Sequence, residues 1–206
     1  MQRNIFITAT VAAVTIIAIA VFSWTLLHAV AIAPDDDGSL ASASSSAMSA
    51  APFVIATSSR PVRLVIPSLS IDANIQDVGV NASGAMRAPN NFTDVAWYEY
   101  GTVPGMLGSA VIDGHVDNGL ALAGVFKHLP DIKIGDDVYM QEKDGSRLHF
   151  VVTDIEIYPY ESVPTNLIFN QNDAARLDLI TCEGIWVPAG KTYDHRLVVY
   201  TELSAR

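Results

Sequence analysis

Cys182 is the only cysteine in this chain of 206 residues, so it has no disulfide partner within its own chain. A thiol attacks as thiolate, and a positioned imidazole can manage the proton. His115 is the best candidate for that imidazole, in Ser109-Ala110-Val111-Ile112-Asp113-Gly114-His115-Val116-Asp117. His195 is its main rival because it stands beside Arg196. The alternative for Cys182 is an inert, buried small hydrophobe. Two features favour reactivity: Cys182 falls at the end of an apolar run, and a cation, Arg196, opens the next one. A metal reading of His115 with Asp113 or Asp117 has no spacing such as H-x-x-x-H behind it, and neither a metal nor a cofactor is expected.

The elements that must position these groups are strands. In Leu177-Asp178-Leu179-Ile180-Thr181-Cys182, Leu177, Leu179 and Thr181 fall on one side, and Asp178, Ile180 and Cys182 on the other. The pattern predicts a strand that delivers Cys182 at its C-terminal end. Glu183-Gly184 is expected to break it, and the stretch to Tyr193, with Pro188 and Gly190, to be a loop. Arg196 to Leu203 is the next strand. Upstream, Val62–Ile66, Asn74–Val80, Ala110–Asp113, Asp137–Gln141 and Leu148–Tyr158 read as further strands. Lys143-Asp144-Gly145-Ser146 is the hairpin turn between the last two of these. Leu120–Leu129 and Asn172–Arg176 are expected to hold a helical turn or two. Many short strands at this spacing suggest an all-β barrel or sandwich.

The formal net charge is -10, and Lys and Arg are not clustered, which argues against a nucleic-acid partner. Ile5 to Ala33 carries no charged residue, enough for a membrane span of about 20 apolar residues. Arg3 before it and Asp35-Asp36-Asp37 after it place the N-terminus in the cytoplasm. Residues 1–33 are therefore expected to be a single transmembrane helix, with everything beyond it extracytoplasmic at the cell membrane. The alternative is a cleaved signal peptide, since Ala29-Val30-Ala31 and Ala31-Ile32-Ala33 resemble cleavage sites. Residues 34–59, rich in Ser and Ala, read as a flexible tether, and 60–206 as the catalytic domain.

Leu179-Ile180-Thr181-Cys182 resembles the T-L-x-T-C strand end of sortases, and Gly114-His115 upstream with Arg196 on the last strand is similar to that family as well. Further similarity runs through Arg63-Leu64-Val65-Ile66-Pro67, Trp97-Tyr98, Pro104-Gly105, Gly108-Ser109-Ala110, Val125-Phe126 and Gly135-Asp136. Gly114-His115-Val116-Asp117 looks most like class F and neighbouring class E or D sortases. Asp178-Leu179 stands where the family often has Thr-Leu.

The resemblance implies a closed, eight-stranded β-barrel with short helices and a cysteine transpeptidase activity. Cys182 would attack the Thr–Gly carbonyl of an L-P-x-T-G-like sorting signal at the C-terminus of a secreted protein. An amine from a cell-wall precursor or a pilin-like protein would resolve the acyl-enzyme. His115 would protonate the leaving amine, and Arg196 would stabilise the oxyanion or position the substrate. Val116, Ile180 and Thr181 are expected at the substrate-binding surface, the first two as apolar lining. A cysteine peptidase or amidase that hydrolyses the acyl-enzyme is the rival enzyme. A membrane-tethered β-domain that binds a surface partner is the rival from another class.

Asp178 and Glu183 lie close to Cys182 in sequence and oppose a thiolate, whereas Arg196 favours one. The expectation is a thiol near its reference pKa of about 8.5 and an imidazole near about 6.5, with no preformed ion pair.

Overall fold

The computed structural model describes residues 59–118 and 122–204. The expected anchor, 1–33, and all of the expected tether, 34–59, except Ser59 lie outside them. Among the described residues no helix is long and apolar enough to cross a membrane.

Two-residue alternation builds the wall. β1 (Pro61–Ile66) turns Leu64 and Ile66 inward, with no exposure. β2 (Ile71–Val78) returns antiparallel beside it. β3 (Val95–Tyr98) runs parallel to β2, so residues 79–94 must carry the chain back along the barrel. β4 (Gly108–Asp113) is antiparallel to β3. β5 (Asp137–Glu142) and β6 (Arg147–Pro159) form the expected hairpin. β7 (Ala175–Val187) lies parallel to β4, and β8 (Thr192–Leu203) fits antiparallel between β7 and β6. The strand order is β1-β2-β3-β4-β7-β8-β6-β5, closed by pairing of β5 with β1. This is the all-β, closed eight-stranded barrel expected from the sequence.

Inside, Phe126, Met140, Phe150, Leu177 and Leu179 are fully buried. Each such side chain stabilises the fold by roughly 1.5–3 kcal/mol relative to an exposed one. A second, smaller cluster lies on the outer face of β4, β7 and β8. There Val111, Val198 and Tyr200 pack with Ile168 of a short helix, α1 (Thr165–Phe169). Phe169 of α1 meets Tyr98 of β3 edge-on, with ring centroids 5.6 Å apart.

Three local expectations are corrected. Asn172–Arg176 is not helical but leads into β7, and the helix sits earlier, at α1, behind Pro164. At the end of the expected helix Leu120–Leu129 there is a short 3-10 helix, Leu129–Asp131. Glu183-Gly184 does not end β7. The register shifts between Glu183 and Trp186, and the strand runs on to Val187. Gly184, at φ +86°, supplies the left-handed backbone that the bulge requires. The side chain of Asp194 accepts the Ile185 N–H at 2.7 Å and fixes the bulge.

Candidate active site

The register of three strands assembles the site. Asp113 of β4 pairs with Ile180 of β7, and Cys182 of β7 pairs with Arg196 of β8. One step past the end of β4 the pairing still holds. The Gly114 N–H donates to the Ile180 carbonyl at 3.2 Å, and Thr181 Oγ1 donates to the Gly114 carbonyl at 2.8 Å. The next residue on each segment is His115 and Cys182. Leu179, Thr181 and Leu197 point into the barrel with at most 1% exposure. Alternation therefore turns Ile180, Cys182 and Arg196 outward, onto the face a substrate can reach.

Gly114 is required where it stands. A Cβ there would lie 2.4 Å from Cδ2 of the buried Phe126. The Phe126 N–H in turn donates to the His115 carbonyl at 2.9 Å, so the histidine's backbone is tied to the core. Its ring is held by a segment the sequence did not single out. Nε2 lies 3.0 Å from the Pro89 carbonyl, and Phe92 packs against the imidazole with centroids 4.9 Å apart. A carbonyl only accepts, so Nε2 carries the proton in that bond. Nδ1 is left to take up and release the proton in any reaction.

Arg196 is anchored by its own hairpin. Nη1 donates to the carbonyls of Tyr193 at 3.0 Å and His195 at 2.8 Å, and Nη2 donates to Thr192 Oγ1 at 2.7 Å. The guanidinium lies over the Tyr160 ring, 4.4 Å from its centroid. These bonds use three of the five N–H groups. The planar fork stays in one orientation beside Cys182.

The half-buried Cys182 carries a neutral thiol at rest. Burial pushes it up, Arg196 pulls it down, and Asp113 and then Asp117 push it up again. The net direction is upward, so no thiolate is preformed. The carboxyls that oppose it are not the sequence neighbours Asp178 and Glu183 but two that the fold brings in from the other side of the site. Asp117 is engaged by Tyr193, whose hydroxyl donates to it at 2.5 Å and whose own ionisation is pushed up to about 12. That bond links the loop after His115 to the β7–β8 hairpin.

Val116 is partly exposed in that loop, its carbonyl accepting the Gly124 N–H at 2.9 Å. Ile180 is partly exposed on the outer face of β7. Thr181 is corrected: it has no exposure and faces inward. It acts by fixing Gly114 rather than by touching a substrate. His195 alternates to the face opposite Arg196 and pairs with Asp194 at 2.8 Å. Among the described residues no group of three His, Cys, Asp or Glu side chains is arranged to hold a metal.

Residues 64–204 match the family model described as Sortase domain, and the chain belongs to that family of cysteine transpeptidases. Among solved structures it is similar to sortase C-1 of Actinomyces oris, at 27% identity and TM-score 0.54, covering 70% of this chain and 73% of that one. A lid mutant of sortase A from Corynebacterium diphtheriae shares the fold at 22% identity and TM-score 0.56, covering 73% of each chain. So does a sortase D5 transpeptidase of Clostridium perfringens, at 15% identity and TM-score 0.53, covering 71% of this chain and 79% of that one. No curated protein matches the sequence. Sortases A, C and D all occur among these structures, so the shared fold does not select the class suggested by Gly114-His115-Val116-Asp117.

Proposed function

We propose that the protein is a membrane-anchored transpeptidase that cleaves an L-P-x-T-G-like sorting signal between Thr and Gly and passes the acyl group to an amine. The observation that carries this reading is the junction of β4 and β7. The bond from Thr181 to Gly114 makes His115 and Cys182 the next residues on two adjacent segments, with Arg196 opposite the thiol. The Cys182 thiol passes its proton to His115 Nδ1, the resulting thiolate attacks the carbonyl carbon, and the oxyanion that forms lies within reach of the fixed guanidinium. Losing such a donor commonly costs about 10²–10³ in rate. Collapse expels the glycine amine, which takes its proton from His115 Nδ1 and leaves a thioester on Cys182. An incoming amine attacks the thioester and gives its proton back to Nδ1, and the thiolate leaves. The acyl donor is a secreted protein, and the acceptor is a cell-wall precursor or a pilin-like protein. Residues 1–33 hold the enzyme at the membrane, and 34–59 give it reach.

The test is mass spectrometry of the soluble domain with an L-P-x-T-G peptide and a glycine or diamine acceptor. A ligated product is expected. Hydrolysed peptide alone would make the protein a peptidase, and neither product would leave a binding module. Cys182→Ala is expected to abolish the product at a stability cost of no more than about 1 kcal/mol. His115→Ala and Arg196→Ala should each lower turnover far more than His195→Ala. Comparable loss in His195→Ala, with His115→Ala near wild type, would transfer the proton-transfer role.

A further inference from the structure

The outer face of the wall carries a second row of side chains beneath the reacting one. Ile180 pairs with Asp113 on one side and with Val198 on the other. Each of these three lies two residues before or after a member of the reacting row, so alternation gives both rows the same face. Ile180 and Val198 are aliphatic and belong to the outer apolar cluster. The third is a carboxyl. Its backbone is paired on both edges, with Ala96 of β3 and Ile180 of β7, so the side chain is carried by a rigid part of the wall.

We propose that Asp113 is a positioning residue of this transpeptidase: its carboxylate, which the β4–β7 register sets in the row beneath Cys182, opposes the thiolate. The reaction then starts from the thiol of Cys182, whose proton must leave before the sulfur attacks. This rests on the transpeptidase reading for its meaning but not for its measurement.

The electrostatics follow the geometry. Burial pushes the Asp113 carboxyl up to about 6, against the pull of His115 and then of Arg196. The ionised carboxylate in turn raises the thiol of Cys182. The other groups that face this pair are Arg196 from β8, Asp117 from the loop after His115, Tyr193, which bonds Asp117, and Tyr160 stacked on Arg196. Arg196 stays charged throughout. Asp117 is bonded to a tyrosine that keeps its proton to about pH 12. Asp113 lies near the thiol and changes its charge close to neutral pH. Below about pH 6 it is neutral, and above that it is an anion.

The test reads Cys182 alkylation by iodoacetamide against pH in wild type and in Asp113→Asn, which keeps the shape and removes the charge. The midpoint is expected to fall by about half a unit to one unit in the variant, the order of effect of one like charge nearby. Asp113→Glu should restore part of the shift. An unchanged midpoint in a folded Asp113→Asn overturns the proposal. A second measurement keeps the carboxyl in place. Carbon NMR should show Asp113 titrating at higher pH in His115→Ala than in wild type, because the imidazolium that favours its anion is gone. Equal midpoints would overturn the proposal by this independent route. Alkylation needs no peptide, so a protein that shows both shifts and ligates nothing would keep this assignment while losing the transpeptidase reading.

Discussion

Asp178 occupies the outer face of β7, two strand steps before Cys182, and has no exposure. Neither carboxylate oxygen has a hydrogen-bond partner, and nor does the buried Oγ of Ser109 on the neighbouring β4. Burial pushes this carboxyl up from 3.8 to about 7, with the Arg176 guanidinium opposing the shift. A carboxyl raised in the folded state keeps its proton there while the unfolded chain gives it up. The stability it confers is full below about pH 4 and is lost as the pH rises to about 7. Chemical denaturation should therefore show the wild type weaker at pH 8 than at pH 5 by roughly 2–4 kcal/mol. Asp178→Asn, which cannot ionise, should remove most of that slope. A small slope should persist from Asp113, whose shift has the same sign. Equal slopes in wild type and Asp178→Asn would show that Asp178 is ionised in the folded protein.

At the scale of elements, the site depends on how β4 ends. Gly114 lets the chain leave the strand against Phe126 and still bond to β7 on both its N–H and its carbonyl. Gly114→Ala places a methyl carbon 2.4 Å from a buried ring atom. Overpacking of this kind costs about 1–3 kcal/mol, and a shift of about 1 Å in His115 should lower turnover about 10²-fold. Denaturation and rate measured on the same preparation would test both numbers, and near-wild-type turnover would mean that the histidine does not depend on this junction. The strand carrying Cys182 was legible because Leu177, Leu179 and Thr181 alternate with Asp178, Ile180 and Cys182 across a buried wall. Its continuation was not. Gly184 reads locally as a break, and only the distant Asp194 makes it a bulge. β3, with four residues, and α1, with five, are too short to show a period. The contacts of His115 with Pro89 and Phe92 join segments far apart in sequence, and no local pattern encodes them. Asp113 was visible as a residue near His115, but its place in the row beneath Cys182 follows only from the β4–β7 register.

For the whole molecule, attachment to a membrane rests on the run from Ile5 to Ala33, uncharged and flanked by Arg3 and three aspartates. Full-length protein is expected to stay with the membrane fraction of expressing cells. Its domain should be digested by protease added outside intact cells. A soluble product beginning at Ile32 or Pro34 would show cleavage instead of anchoring.

The strand order has a consequence for when the enzyme comes alive. β8, the last strand along the chain, lies in the wall between β7 and β6. A chain emerging from its first strand onward can pair β1 with β2 and β5 with β6 early, but the barrel stays open until β8 arrives. Until then β7 has a bare edge and the thiol has no guanidinium opposite it. Closing the wall also needs β8 to pair with β6 across a long sequence separation, which is slow. Competence therefore comes as the final event of folding, and a nascent chain carries a thiol without the groups that make it a catalyst.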